Sequence, residues 1–151
     1  MFSLRCASIL PNAVAHSDGA AESVAASEPV ALMVGSLWYR PNLDAAERFI
    51  FECWPEIRRS VPDARFRVVG GAGIEEPRVR AWSRIPGVEC PGFVDDLAAE
   101  YRRARLTVMP IRSGGGTQIK ALESLSHGRA PVVSRFVAQG FAPNLNDREA
   151  L

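Results

Sequence analysis

A chain of 151 residues, 47% hydrophobic and 23% charged, has the make-up of a folded protein with room for one buried core and not for two full domains. With 18 Lys and Arg against 17 Asp and Glu the formal net charge is +1, so neither nucleic acid nor an anionic membrane is expected as the main partner. Three cysteines, Cys6, Cys53 and Cys90, lack CxxC spacing, which argues against a disulfide framework and a zinc site and fits a reducing, cytoplasmic location.

The first apolar piece, Leu4 to Leu10, is interrupted by Pro11 and Asn12 before it reaches the length of a signal-peptide core. An Ala-, Ser- and Glu-rich run to Pro29 follows and reads as a linker. No apolar run approaches the roughly 18 residues of a membrane span, so any membrane contact is expected to be peripheral. Val30 to Val34 is continuously apolar and ends at Gly35, the pattern of a strand buried on both faces. Leu43, Ala46, Ile50, Cys53 or Trp54, and Ile57 then recur at helical spacing behind Pro41 and Asn42, with Pro55 expected to kink or divide the helix.

Arg65 to Val69 is a second strand, closed by Gly70-Gly71-Ala72-Gly73. Pro77 starts a helix with Val79, Trp82 and Ile85 on one face. Val88 to Cys90 is a third strand, and Asp95 or Asp96 caps a helix carrying Leu97, Tyr101 and Ala104. Leu106 to Met109 is a fourth strand, Gly114 to Gly116 opens a helix carrying Ile119, Leu122 and Leu125, and Pro131 to Ser134 is a fifth strand. Strands alternating with helices in this way predict an α/β Rossmann-like fold: a parallel sheet with helices on both faces. The expected organisation is a linker segment over residues 1–29, one Rossmann-like domain over residues 30–141, and a cut-short tail over residues 142–151.

In open parallel sheets ligands bind beyond the carboxyl ends of the strands where the strand order reverses, which in the commonest order lies between strands one and four. The loops after those strands, Gly35 to Asn42 and Pro110 to Thr117, are therefore expected to face each other. Gly114, Gly115 and Gly116 strip side chains from the approach, so backbone N–H groups at a helix start can reach an anion such as phosphate, aided by the helix dipole. Gly116 and Glu123 share a helix face roughly 10 Å apart, which lets a carboxylate take sugar hydroxyls while the helix start holds phosphate. The bland readings are a flexible turn and a solvated Glu123 paired with Lys120.

Other motifs fail on detail. Gly70 to Gly73 lacks the last glycine of a dinucleotide fingerprint, and no Ser or Thr follows Lys120 as a P-loop requires. His16 lies in the linker and His127 sits by Gly128 at a helix end, so neither is placed as a base.

In order, Val34-Gly35-Ser36-Leu37, Pro41-Asn42-Leu43-Asp44, Trp54-Pro55-Glu56-Ile57, Val68-Val69-Gly70, Gly92-Phe93-Val94-Asp95, Gly114-Gly115-Gly116-Thr117-Gln118-Ile119-Lys120-Ala121-Leu122-Glu123 and Gly128-Arg129-Ala130-Pro131-Val132-Val133 resemble glycosyltransferase family 4, within the glycosyl transferases group 1 of GT-B fold. The resemblance runs from about Val30 to Phe141 and is to the C-terminal, donor-binding half. Ile9 to Val14 looks like the last strand of the N-terminal domain and the hinge after it.

The resemblance implies retaining transfer from a nucleotide sugar (a UDP-, GDP- or ADP-sugar) to an acceptor held mainly by an N-terminal domain missing here. It also implies that no cofactor or metal is needed. Glu123 matches the second of two glutamates that mark the donor site, the one that binds ribose hydroxyls, whereas the first falls on Gly115. The basic residues that commonly hold the diphosphate fall on Ser36 and Asn42, leaving Arg40, Arg112 or Lys120 to supply positive charge to the leaving group. Gly35, Ser36, Val94, Gly114, Gly115, Gly116, Thr117, Lys120 and Glu123 are the expected donor-binding residues, Val94 from the segment that meets the base. The competing functions are a nucleotide-binding fragment without turnover and, on the same sheet, a nicotinamide-dependent oxidoreductase.

Overall fold

The computed structural model describes residues 14, 28–71, 77–115 and 119–140. The leader, the 142–151 tail, and the expected ligand residues Gly116 and Thr117 lie outside the described residues.

Five strands form one parallel sheet in the order β3-β2-β1-β4-β5: β1 (Val30–Val34), β2 (Arg65–Val69), β3 (Val88–Gly92), β4 (Leu106–Met109) and β5 (Ala130–Val133). The order reverses at β1. The chain steps outward from β1 to β2 and β3, then returns across the sheet to β4 on the other side of β1. This is the Rossmann-like α/β arrangement expected, with the switch point between β1 and β4.

Strand periodicity explains the two covered faces. Met33, Phe66, Val68, Val88 and Val108 point to one side and form the larger core with Leu43, Ala46, Ile50, Trp54, Val79 and Trp82. Those partners come from α1 (Arg40–Arg48), the segment Phe49–Cys53, α2 (Trp54–Ser60) and α3 (Pro77–Trp82). The alternate residues Leu32 and Val69 point the other way and meet Tyr101 and Ala104, which close α4 (Leu97–Arg103). On that same side Met109 packs with Ala121 of α5 (Ile119–Ser126) and Val137 of α6 (Arg135–Gln139). A strand with both faces covered needs apolar residues at successive positions, which is why β1 reads as an unbroken apolar run.

Pro55 divides its helix by widening it. Its nitrogen carries no hydrogen and its ring crowds the carbonyl four residues back, so one turn, Phe49–Cys53, becomes a π-helix in which Trp54 N donates to Phe49 O. The extra residue decides the alternative at this turn. Cys53 is exposed, whereas Trp54 is fully buried, its indole donating to Pro86 O at 3.0 Å and its ring 5.8 Å from that of Phe66.

Three expectations need correction. Leu125 is 56% exposed, because α5 turns its small residues Ala121 and Ser124 to the sheet. There the Ser124 hydroxyl lies 2.7 Å from that of Thr107 and donates to Arg129 O at 2.8 Å. Ile85 packs on the core from the turn after α3 rather than from the helix. Finally, the fifth strand, expected over Pro131 to Ser134, ends at Val133: Ser134 is instead the N-cap of α6, its side chain accepting from Val137 N.

Candidate functional site

The loop that leaves β1 is fixed at both ends. Gly35 N donates to Val69 O at 2.8 Å and Leu37 N to Gly71 O at 3.2 Å, which ties the loop to the end of β2 and buries Leu37. The buried Asn42 side chain reaches back from α1 and donates to Ser36 O at 2.9 Å. Asn42 therefore braces the loop, and the cation that the resemblance places at that position has no counterpart there. Ser36 is exposed beside it.

The loop that leaves β4 is held at its start by β5: Ser134 N donates to Met109 O at 3.1 Å, and the Ser134 hydroxyl donates to Ile111 O. Beyond Ile111 the chain is exposed through Arg112, Ser113, Gly114 and Gly115. Here the two loops meet. The Tyr39 hydroxyl accepts from Gly115 N at 3.0 Å and lies 3.4 Å from Gly115 O. Gly114 has φ +127°, and a Cβ there would stand 2.6 Å from the Tyr39 hydroxyl and 3.3 Å from Pro41 Cγ. Backbone conformation and contact both require glycine at this position.

Tyr39 was not singled out by the sequence. Its only signal is an aromatic side chain directly before Arg40 and Pro41 at the head of a helix, a place where a small polar cap is usual.

Glu123 is half-buried on α5, one carboxylate oxygen 3.4 Å from the Tyr101 hydroxyl. Burial first, and the Glu123 charge second, push the Tyr101 hydroxyl above its usual range, so it stays protonated and donates. A carboxylate has about four acceptor sites and this contact uses one. The Tyr101 ring also stacks on His127, with centroids 4.5 Å apart, so His127 packs as part of the α4–α5 contact.

The candidate cations are spread rather than gathered. Arg40 is 3.5 Å from Asp44 and Arg112 is 3.9 Å from Glu52, both as exposed pairs that cost little to separate. Lys120 is half-buried in the first turn of α5, and Val94 packs beside Leu97 against the Leu32–Tyr101 cluster. A cavity of about 210 Å³ lies to one side of the switch point, between the π-helical turn and β4–β5, and includes Arg48, Glu52, Pro110 and Arg112 in its lining. Among the described residues no group of three or more His, Cys, Asp or Glu is placed to hold a metal ion, and no helix is long and apolar enough to cross a membrane.

A five-stranded parallel Rossmann-like sheet with a glycine loop at its switch point is the architecture of one half of a GT-B enzyme. The sequence model of the family described as Glycosyl transferases group 1 matches residues 28–150, and the chain belongs to that family of glycosyltransferases. No curated protein matches the chain in sequence.

Proposed function

We propose that this domain binds the donor in glycosyl transfer, holding a UDP-, GDP- or ADP-sugar and passing the sugar, with retention, to an acceptor carried by a domain N-terminal to it. The observation that carries the reading is the meeting of the β1 and β4 loops at Tyr39 and Gly115, at the switch point of the sheet and immediately ahead of the helix that bears Glu123. Ligands of open parallel sheets sit at that place.

In this reading backbone N–H groups of the glycine loop face the diphosphate, and Glu123 accepts hydrogen bonds from the ribose hydroxyls with the acceptor capacity that Tyr101 leaves. As the glycosidic bond breaks, charge accumulates on the leaving diphosphate, and pre-oriented N–H dipoles with one cation stabilise it. Arg40, Arg112 and Lys120 are within the loops or the helix turn concerned, and the first two are held only by exposed pairs, so redirecting either toward a bound anion costs little. Ser36 lies exposed on the β1 loop, open to the same ligand, and Val94 supports the base-edge segment after β3. No step in this scheme calls for a metal.

Titration calorimetry of the folded chain with UDP-, GDP- and ADP-sugars tests the reading. One of the three is expected to bind, and a folded chain that binds none removes the proposal. Sugar transfer on adding an N-terminal acceptor domain is the second expected result.

A further inference from the structure

We infer that Tyr39 is the positioning residue of the glycine loop, a tether from a rigid element that sets the direction of its peptide groups; the inference rests on the donor-site reading above. Gly114 and Gly115 contribute no side chain with which to pack, and a Cβ added at Gly115 meets nothing within 4 Å. Glycine backbone has the most conformational freedom to lose, so a bare glycine loop is poorly ordered by its own contacts. An anion site made of N–H groups depends on those groups being aimed beforehand.

Tyr39 supplies the missing constraint. Its own backbone is fixed three times over: Tyr39 N donates to Ser36 O at 3.3 Å, and Tyr39 O accepts from Asn42 N at 2.9 Å and Leu43 N at 3.2 Å. From that anchored position, at the head of α1, the phenol reaches across the switch point and takes the Gly115 N–H at 3.0 Å. Pro41, the second residue of the same helix, flanks Gly114. The side-chain-free Gly114 is what lets the hydroxyl approach. With its N–H engaged by the phenol, Gly115 does not offer that N–H to phosphate. Its contribution is to carry the tether, and the anion is met by other donors of the loop.

The test is Tyr39→Phe in the 151-residue chain. The substitution deletes one hydroxyl on a side chain that is 44% exposed, leaves the ring in place and strands no buried group, so folding is retained. Calorimetry is run with UDP, GDP and ADP and with uridine, guanosine and adenosine. For the nucleoside diphosphate that the unsubstituted chain binds, Tyr39→Phe is expected to weaken binding about 3- to 10-fold, the effect of one hydrogen bond. Binding of the matching nucleoside, which carries no phosphate, is expected to be unchanged, as is the melting temperature.

Equal losses for diphosphate and nucleoside would mean a general disturbance and would overturn the tether. So would diphosphate binding that is unchanged or tighter, the latter showing that the phenol competes with phosphate instead of preparing its site. In both cases the donor-site reading survives. If the unsubstituted chain binds none of the three nucleoside diphosphates, the donor-site reading itself is lost and the tether goes with it.

Discussion

The Arg129 guanidinium, 2% exposed, donates from Nε to the backbone carbonyl of Tyr101 at 2.8 Å. It also donates from Nη2 to Arg102 O at 2.9 Å, so the arginine that immediately precedes β5 caps the last turn of α4 with a cation where the helix leaves its carbonyls unpaired. Charged hydrogen bonds of this kind are worth about 1.5 to 3 kcal/mol. Arg129→Ala is therefore expected to lower the unfolding free energy by about 3 kcal/mol in urea titrations, more than an average surface substitution. A change below about 0.5 kcal/mol, the range of surface substitutions, would show that the cap is dispensable.

Arg129 also marks where the sequence stops being legible. In Gly128-Arg129-Ala130-Pro131 it looks like a solvated charge between a helix and a strand, because nothing local says that the end of α4 lies against it. The sheet was readable for the opposite reason. Val30–Val34, Arg65–Val69 and Leu106–Met109 carry their burial in their own apolar pattern, and strand alternation with helices leaves few topologies. Leu125 was misplaced because Leu122 and Leu125 outweigh Ala121 and Ser124 in hydrophobicity, while close helix–sheet approach selects the small pair. At the site, the facing of the two loops followed from strand order, but the side chain that joins them did not, since Tyr39 acts through a hydroxyl and 76 residues of separation.

Cys90 lies within β3, where burial first, with Glu89 adding, pushes its thiol up to about 11. Alkylation with iodoacetamide at pH 8 is expected to label exposed Cys53 and to reach Cys90 only on unfolding, as read by peptide mass mapping. The sign for stability follows: the thiol ionises in the unfolded chain near its ordinary 9.0 but in the native chain only near 11, so the unfolded state sheds its proton first. Stability contributed by Cys90 is complete below pH 9.0 and is lost as pH rises to about 11. Matched labelling of both cysteines in the native chain at pH 8 would contradict this.

Gly114→Ala adds a methyl group 2.6 Å from the Tyr39 hydroxyl at a backbone angle of +127°. The angle alone costs about 1 to 2 kcal/mol for an L-residue, and the contact forces the phenol and Gly115 apart. Nucleoside diphosphate binding is expected to weaken at least as much as in Tyr39→Phe. Because both substitutions break one contact, their effects on binding are expected to be sub-additive, with the hydroxyl nearly silent once Gly114 is alanine. Full additivity in the double-mutant cycle would separate the two residues.

Glu123 distinguishes a ligand carboxylate from a structural one. If it serves only to hold Tyr101, the 3.4 Å contact is a long, weak bond, and Glu123→Gln, which keeps an acceptor beside the hydroxyl, behaves as the original chain in every assay. If it accepts from ribose hydroxyls, the negative charge matters, because hydrogen bonds to a charged group are worth about 1.5 to 3 kcal/mol against roughly 1 for a neutral pair. Glu123→Gln is then expected to weaken donor binding while leaving urea stability unchanged. Glu123→Ala is expected to weaken it further, by about 1.5 to 3 kcal/mol, with a small loss of stability from the orphaned tyrosine hydroxyl. Calorimetry beside urea unfolding on the two variants separates the cases: donor affinity equal to the original in Glu123→Gln, with stability lost only in Glu123→Ala, would leave the carboxylate a packing role and take the ribose contact out of the site.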